Sequence, residues 1–357
     1  MKTIAFVTIA CVASSARSSS EKTVPAEVML RIPATSANGD PQFTHISSAT
    51  RLTNGNLVIA DVYDGQVYLF DKVGKRLKSL ALKGDGPGEF ATPRWVSTCG
   101  RDTLYVLDDS HKRMQVYAPT GTFVRDFPVG VSPAALACGP DGTIVTAVNT
   151  SAPESANAVV RRGSLILFGA NGDERSKIAG IHFSGPDRLL GDMIRVAYSG
   201  RSLFYGSGDS AVLQVRDVVA PNKLRTFDAG IPGRTPTAEQ RAEEIEELST
   251  RINAPVGMLG GLRKMYAAVP TASVLPACAG LYCDPNSKAL WVATSFPGSG
   301  KTELTKFDLD GRKTGEAVVP LDLRIFEIRS GILLGSERSR DTGEQALVVV
   351  KLPVSRQ

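Results

Sequence analysis

Short runs of alternating apolar and polar residues, each bounded by a glycine, asparagine, aspartate or proline turn, recur along most of the chain. Leu57-Val58-Ile59-Ala60-Asp61 reads as a strand, Asp64-Gly65 as a tight hairpin and Gln66 to Phe70 as the return strand. Val73-Gly74-Lys75 is the next turn, and Arg76 to Leu82 the next strand. The order repeats at Leu104 to Asp108, Met114 to Tyr117, Pro119-Thr120-Gly121 and Thr122 to Val129. Leu57 and Leu104 are 47 positions apart, and Leu57–Phe70 and Leu104–Tyr117 are each 13 apart, so the spacing marks an internal repeat. Four further units follow. They are seeded by Ile144 to Val148, Leu203 to Tyr205, Leu290 to Ala293 and Ile332 to Leu334. Six such units predict an all-β chain, a six-bladed β-propeller, with Val24 to Ile32 as the strand that completes the last blade.

Two stretches depart from this rhythm. Gly84-Asp85-Gly86-Pro87-Gly88-Glu89-Phe90 is too rich in glycine and proline for a helix or a central strand. A degraded copy, Asn38 to Phe43, lies 47 residues before it, so the stretch reads as a joint between blades. Between units four and five, about residues 234–270 form a helical insertion. Thr235-Pro236 reads as a cap with proline at the first helical position, and Ile245, Leu248 and Ile252 recur at helical spacing among glutamates. A second short helix is expected over Leu262 to Val269. The insertion covers the channel, docks a partner, or is a solvated amphipathic helix packed on the ring.

The N-terminus reads as an export signal, residues 1–16, followed by a polar leader over 17–23 and the propeller over 24–353. Lys2 precedes an apolar run from Ile4 to Val12, and Ser14-Ser15-Ala16 supplies small residues for cleavage. The alternative is lipid attachment at Cys11 within Thr8-Ile9-Ala10-Cys11. Nothing else in the sequence is apolar and long enough for a transmembrane helix, so the expected location is periplasmic or secreted. The net charge of +5 comes from 41 basic and 36 acidic residues spread along the chain, a pattern that argues against a nucleic-acid surface. A monomer is expected.

Export permits disulfides. Cys99, Cys138 and Cys283 each precede a turn at equivalent places in their units, which favours small buried thiols; Cys278–Cys283 is the pairing to test.

Leu107-Asp108-Asp109-Ser110-His111-Lys112-Arg113-Met114-Gln115-Val116-Tyr117 resembles the NHL-repeat signature, and Gly84 to Phe90 with Pro93-Arg94-Trp95-Val96 resembles the linker between NHL blades. The last third is similar to exported bacterial six-bladed propellers, at Leu281-Tyr282-Cys283-Asp284-Pro285, Leu290-Trp291-Val292 and Phe307 to Arg312. The resemblance implies the propeller fold and a binding or scaffold role, for a protein or an extracellular polymer.

Tyr63, Arg94, Trp95, His111 and Arg113 are the candidate ligand contacts, because aromatic and arginine side chains near loops are favoured at binding surfaces. The competing expectation is that Trp95 packs between blades and that His111 and Arg113 are solvated. Asp61 and Asp108 end equivalent strands, but that place is Val148, Ser207, Thr294 and Ser336 elsewhere, so no ring of six carboxylates exists. Their expected role is to accept hydrogen bonds from the following turn. The alternative is a metal-dependent hydrolase or lyase at the central channel, similar to lactonase or peptide-amidating-lyase propellers. It would hold Ca²⁺ through Asp61, Asp108, Asn149 and Asp209, or Zn²⁺ through His45, His111 and His182. No cofactor is expected under the binding reading, and no catalytic residue is assigned.

Overall fold

The structure is a computed structural model that describes residues 26–353, apart from 37, 40–41, 101, 150–160, 184–188, 190–193, 208–210, 221, 252–255, 285, 297 and 340–341. The export signal, the polar leader and Cys11 lie outside the described residues, as do Ile252 and Asp209.

Six four-stranded antiparallel sheets form the molecule. Blade 1 contains β2 (Ile46–Arg51), β3 (Leu57–Asp61), β4 (Gln66–Phe70) and β5 (Arg76–Ser79). Blade 2 contains β6 (Pro93–Cys99), β7 (Thr103–Asp108), β8 (Arg113–Tyr117) and β9 (Phe123–Pro128). Blade 3 follows with β10 (Ala135–Cys138), β11 (Ile144–Asn149), β12 (Arg161–Phe168) and β13 (Glu174–Phe183), and blade 4 with β14 (Ile194–Ser199), β15 (Ser202–Ser207), β16 (Val212–Asp217) and β17 (Leu224–Asp228). Blade 5 contains β18 (Gly280–Asp284), β19 (Ala289–Ala293), β20 (Thr302–Asp308) and β21 (Lys313–Val319). Blade 6 is built from β22 (Leu323–Arg329), β23 (Ile332–Arg338), β24 (Gln345–Lys351) and β1 (Glu27–Pro33), the strand from the chain's start. Glu27 pairs with Lys351 and Pro33 with Ala346.

The core is divided into wedges between neighbouring blades. Leu57 and Ile59 of β3 join Ile32, Leu334, Leu347 and Val349 of blade 6, whereas Val58 and Ala60 join Val96, Leu104 and Val106 of blade 2. Tyr105 and Leu107 turn the other way, toward Ile144 and Phe168 of blade 3. Successive side chains of a strand point to opposite faces of the sheet, and both faces here meet a neighbouring blade. That is why the second strands read as unbroken apolar runs rather than clean alternation.

The turns between third and fourth strands fix the blade spacing. Gly74, Gly121, Gly172 and Gly311 have φ of 89°, 79°, 87° and 89°, a region open to glycine at little cost. A Cβ on each would meet the outer strand of the preceding blade or its close extension: Ile32 at 3.1 Å, Leu80, Phe127 and Phe227 at 2.7 Å, respectively. Basic side chains from outer strands donate across the same seams. Lys78 Nζ bonds the Thr120 carbonyl at 2.8 Å, and Arg125 and Arg225 reach the Ala170 and Leu309 carbonyls.

Two expectations are corrected here. Cys99 and Cys138 form a disulfide with Cα atoms 5.7 Å apart. They end β6 and β10, the first strands of adjacent blades, so their equivalent places bring them together rather than burying them separately as thiols. Cys278 is buried, with its thiol donating to the Gly280 carbonyl at 3.2 Å, and no bridge joins it to Cys283. The helical insertion lies where expected, but its boundaries differ: α1 spans Ala238–Arg251 and α2 Val256–Ala267. Thr237 is the cap. Its hydroxyl accepts from Gln240 N–H at 3.2 Å, and Gln240 Oε1 accepts from Thr237 N–H at 2.9 Å. That reciprocal pair satisfies two helix-end donors, which proline at 236 has no means to do.

Candidate functional site

The first strand of every blade lines the central channel, and all first strands run the same way. One end of the channel therefore collects their starts and the hairpins after the second strands. The other collects their ends and the turns that follow.

At the first end lie most of the candidate residues. Asp61, fully buried, accepts from the backbone N–H groups of Thr44, His45 (3.2 Å), Tyr63 (3.1 Å) and Asp64 (3.2 Å). Burial pushes its carboxyl up to about 6, against the lowering effect of those bonds. Tyr63 stacks on His45 with ring centroids 4.8 Å apart. His45 is 5% exposed, and burial brings its imidazole down to about 4.

In blade 2, Asp108 is fully buried and accepts from Thr92 N–H at 3.0 Å, His111 Nδ1 at 2.7 Å and Arg113 at 3.4 Å. His111 Nε2 also lies 3.0 Å from Asp85 in the interblade joint. Arg113 donates to the Gly86 and Glu89 carbonyls at 2.9 and 3.0 Å, and Gly88 N–H donates to Gln115 Oε1 at 3.1 Å. The signature stretch and the glycine-rich joint are thus one device: blade 2 holds the joint that leads into it. His111 and Arg113 are engaged there rather than solvated, with side chains 28% and 14% exposed. Arg94 pairs with Asp109 at 3.1 Å. The side chains of Asn149 and His182 lie outside the described residues, and among those described no three His, Cys, Asp or Glu side chains are grouped to hold a metal.

Helix α1 lies against this end of the ring. Glu247 accepts from Arg324 at 2.6 Å and from Arg338 at 3.3 Å, both in blade 6, and is within electrostatic reach of His45 in blade 1. Gln240 Nε2 donates to Ser299 at 3.1 Å. Gly298 makes this approach feasible, since a Cβ there would stand 2.7 Å from the Gln240 Cα.

The opposite end holds a cavity of 320 Å³ walled by all six blades. Trp95 lines it while packing partly against the wedge between blades 2 and 3. Leu136, Tyr198, Leu281 and Phe326 also contribute to its wall, Tyr198 and Leu281 from side chains buried in the interblade wedges, with Thr53, Pro140 and Asn286 among the lining turn residues. A register shift in β22 between Ile325 and Glu327 places an extra residue at Phe326, and Phe326 and Glu327 both line the cavity. Glu327 accepts from Thr50 at 2.5 Å and from Arg329 at 3.1 Å. Arg329 also donates to the Arg51 carbonyl at 3.1 Å and to the Thr98 hydroxyl. Burial raises the Glu327 carboxyl above its usual range, with Arg329 pulling the other way. Of the candidates from sequence, only Trp95 belongs to this cavity. Glu327 and Arg329 were not legible, because no repeated motif marks these positions of β22 and their partners Thr50, Arg51 and Thr98 come from other blades.

Six four-stranded sheets around one channel, closed by a strand from the chain's start, define a six-bladed β-propeller. Residues 41–142 match the model of the DUF5128 family, described as a 6-bladed beta-propeller, and they span the two blades where the repeat is most regular. Similar solved structures include the following two. A protein described as exported, from Bacteroides fragilis, shares 12% identity at a TM-score of 0.54, with 92% of this chain and 96% of that one covered. A member of the DUF4221 family from Bacteroides vulgatus shares 11% identity at a TM-score of 0.54, covering 93% and 99%. At these identities the likeness concerns the fold. No curated protein matches the sequence.

Proposed function

We propose that the protein is an exported binding module for an extracellular macromolecule, a protein or a polymer, and that it recognises its partner at the cavity end of the channel. One observation carries this reading: the cavity is walled by aromatic and hydroxyl residues from all six blades, with a single ion pair, Glu327–Arg329, among the described residues. The buried carboxylates at the other end, Asp61 and Asp108, are committed to backbone and side-chain donors around their turns. Concave sites with apolar walls and few convergent polar groups are the usual form of a binding pocket. The Cys99–Cys138 disulfide supports an oxidising compartment.

The test pairs metal analysis with co-sedimentation on the producing cell's insoluble extracellular material. The purified chain is expected to be retained by that material and to show no stoichiometric metal. One tightly bound Ca²⁺ or Zn²⁺ per chain, lost in Asp61→Ala or Asp108→Ala, would overturn the binding reading in favour of a metal-dependent hydrolase or lyase.

A further inference from the structure

The cavity's lining narrows what enters it. Glu327 and Arg329 are its charged side chains among the described residues, and they neutralise each other at 3.1 Å. An ionic ligand would meet no net opposite charge and would have to break that pair, leaving a largely buried charge without its partner. The wall is nevertheless rich in hydrogen-bonding capacity. A guanidinium carries five N–H donors, and bonds to Arg51, Thr98 and Glu327 engage three of them here. Asn286 and Thr53 add polar groups among the turns. Trp95 and Phe326, both partly exposed, supply aromatic surface to the same wall. The volume of 320 Å³ sits at the bottom of the range for small-ligand pockets, roughly 300–1,000 Å³, so it admits about one small ring and excludes a helix or a folded loop.

A ligand that suits this lining is uncharged, compact, apolar on one face and crowded with hydroxyls at its edge. We propose that the cavity binds one neutral sugar residue, presented by an extracellular polysaccharide, with its C–H face against Trp95 and its hydroxyls toward Glu327 and Arg329. This rests on the binding-module reading above and names the chemistry of that same site.

The sequence contains two tryptophans, and Trp291 is 4% exposed, so a Trp291→Phe chain leaves Trp95 as the emitting reporter. Titration of that chain with glucose, galactose, mannose, xylose and N-acetylglucosamine is expected to give a saturable emission change with at least one of them. Glu327→Gln should weaken the half-saturating concentration at least tenfold. Asn286→Phe, placed at the rim on an exposed residue, should do the same without touching the buried pair or adding a second emitter, so the test survives if the Glu327 variant fails to fold. Absence of saturation with every sugar, saturation unmoved by either variant, or saturation by glucuronate alone would each overturn the proposal. Co-sedimentation run in parallel separates the two levels. Retention that persists without any sugar response sinks the sugar assignment only, whereas loss of retention sinks the binding module itself.

Discussion

Asp61 and Asp108 occupy the same place in successive blades and illustrate how one residue type serves a repeat. Each carboxylate gathers N–H groups of the linker that enters its blade, and Asp61 adds those of the following turn whereas Asp108 adds the side chains of His111 and Arg113. Orphaned backbone donors buried in this way cost about 1–3 kcal/mol apiece. Asp61→Ala, which releases at least three of them, is expected to lower stability by about 3 kcal/mol in urea unfolding. His45 offers a pH signature at the same end. Its imidazole is about 4 in the fold against an ordinary 6.5. The unfolded chain therefore binds a proton that the fold excludes, and the stability present above pH 6.5 is lost as pH falls toward 4. The drop should approach about 3 kcal/mol and be absent from His45→Phe. Asp61, raised to about 6, acts with the opposite sign over pH 4 to 6, so the difference between wild type and variant is the quantity to read. The turn role of Asp61 was legible, since a short acidic residue before a glycine turn has few other uses; Asp108 instead holds the N–H groups of the preceding joint and the His111 and Arg113 side chains. The Cys99–Cys138 bridge was not legible. Its two halves stand in different blades, and only the convergence of first strands at the channel brings them together.

The joint between blades 1 and 2 shows what an element adds beyond its residues. Gly84 to Phe90 lacks regular structure of its own beyond a short bridge, Lys83 to Phe90, yet it is held by Arg113, Gln115 and His111 from the blade it precedes. Arg113→Ala removes bonds to two carbonyls and to Asp108. The expected result is a loss of about 2–3 kcal/mol and faster proteolytic cleavage within residues 84–90, measured against an unchanged cleavage rate elsewhere. From sequence, the joint and the signature were separately recognisable, but a glycine-rich stretch carries no mark of its partner. Helix α1 makes the complementary point. Its existence followed from glutamate-rich helical spacing, whereas its start at Thr237 depends on a reciprocal bond with Gln240. Thr237→Ala should cost about 1 kcal/mol.

Across the whole molecule, stability is distributed over the wedges between blades rather than gathered in one core. The repeat spacing disclosed that arrangement, because strands buried on both faces leave long apolar runs at a fixed interval. Reducing the bridge between blades 2 and 3, which spans a sequence separation of 39, should lower the unfolding midpoint through a loss of about 3–4 kcal/mol. The wedge between blades 6 and 1 has no covalent link of this kind among the described residues and depends on Ile32 of β1. Deleting residues through Pro33 is expected to remove both the outer strand of blade 6 and that wedge's packing. The reporter is a broadened, less cooperative thermal transition.

The pairing of β1 with β24 has a mechanical consequence. Glu27 lies opposite Lys351, so the chain enters and leaves the ring at neighbouring points on antiparallel strands. Tension applied through the two flanking segments would not shear the pair along its length. It would load one hydrogen-bonded rung at a time, beginning at Glu27 and Lys351 and advancing toward Pro33 and Ala346. A ring tethered at both ends would open like a zip at low force, from a seam placed where the polypeptide begins and finishes its circuit.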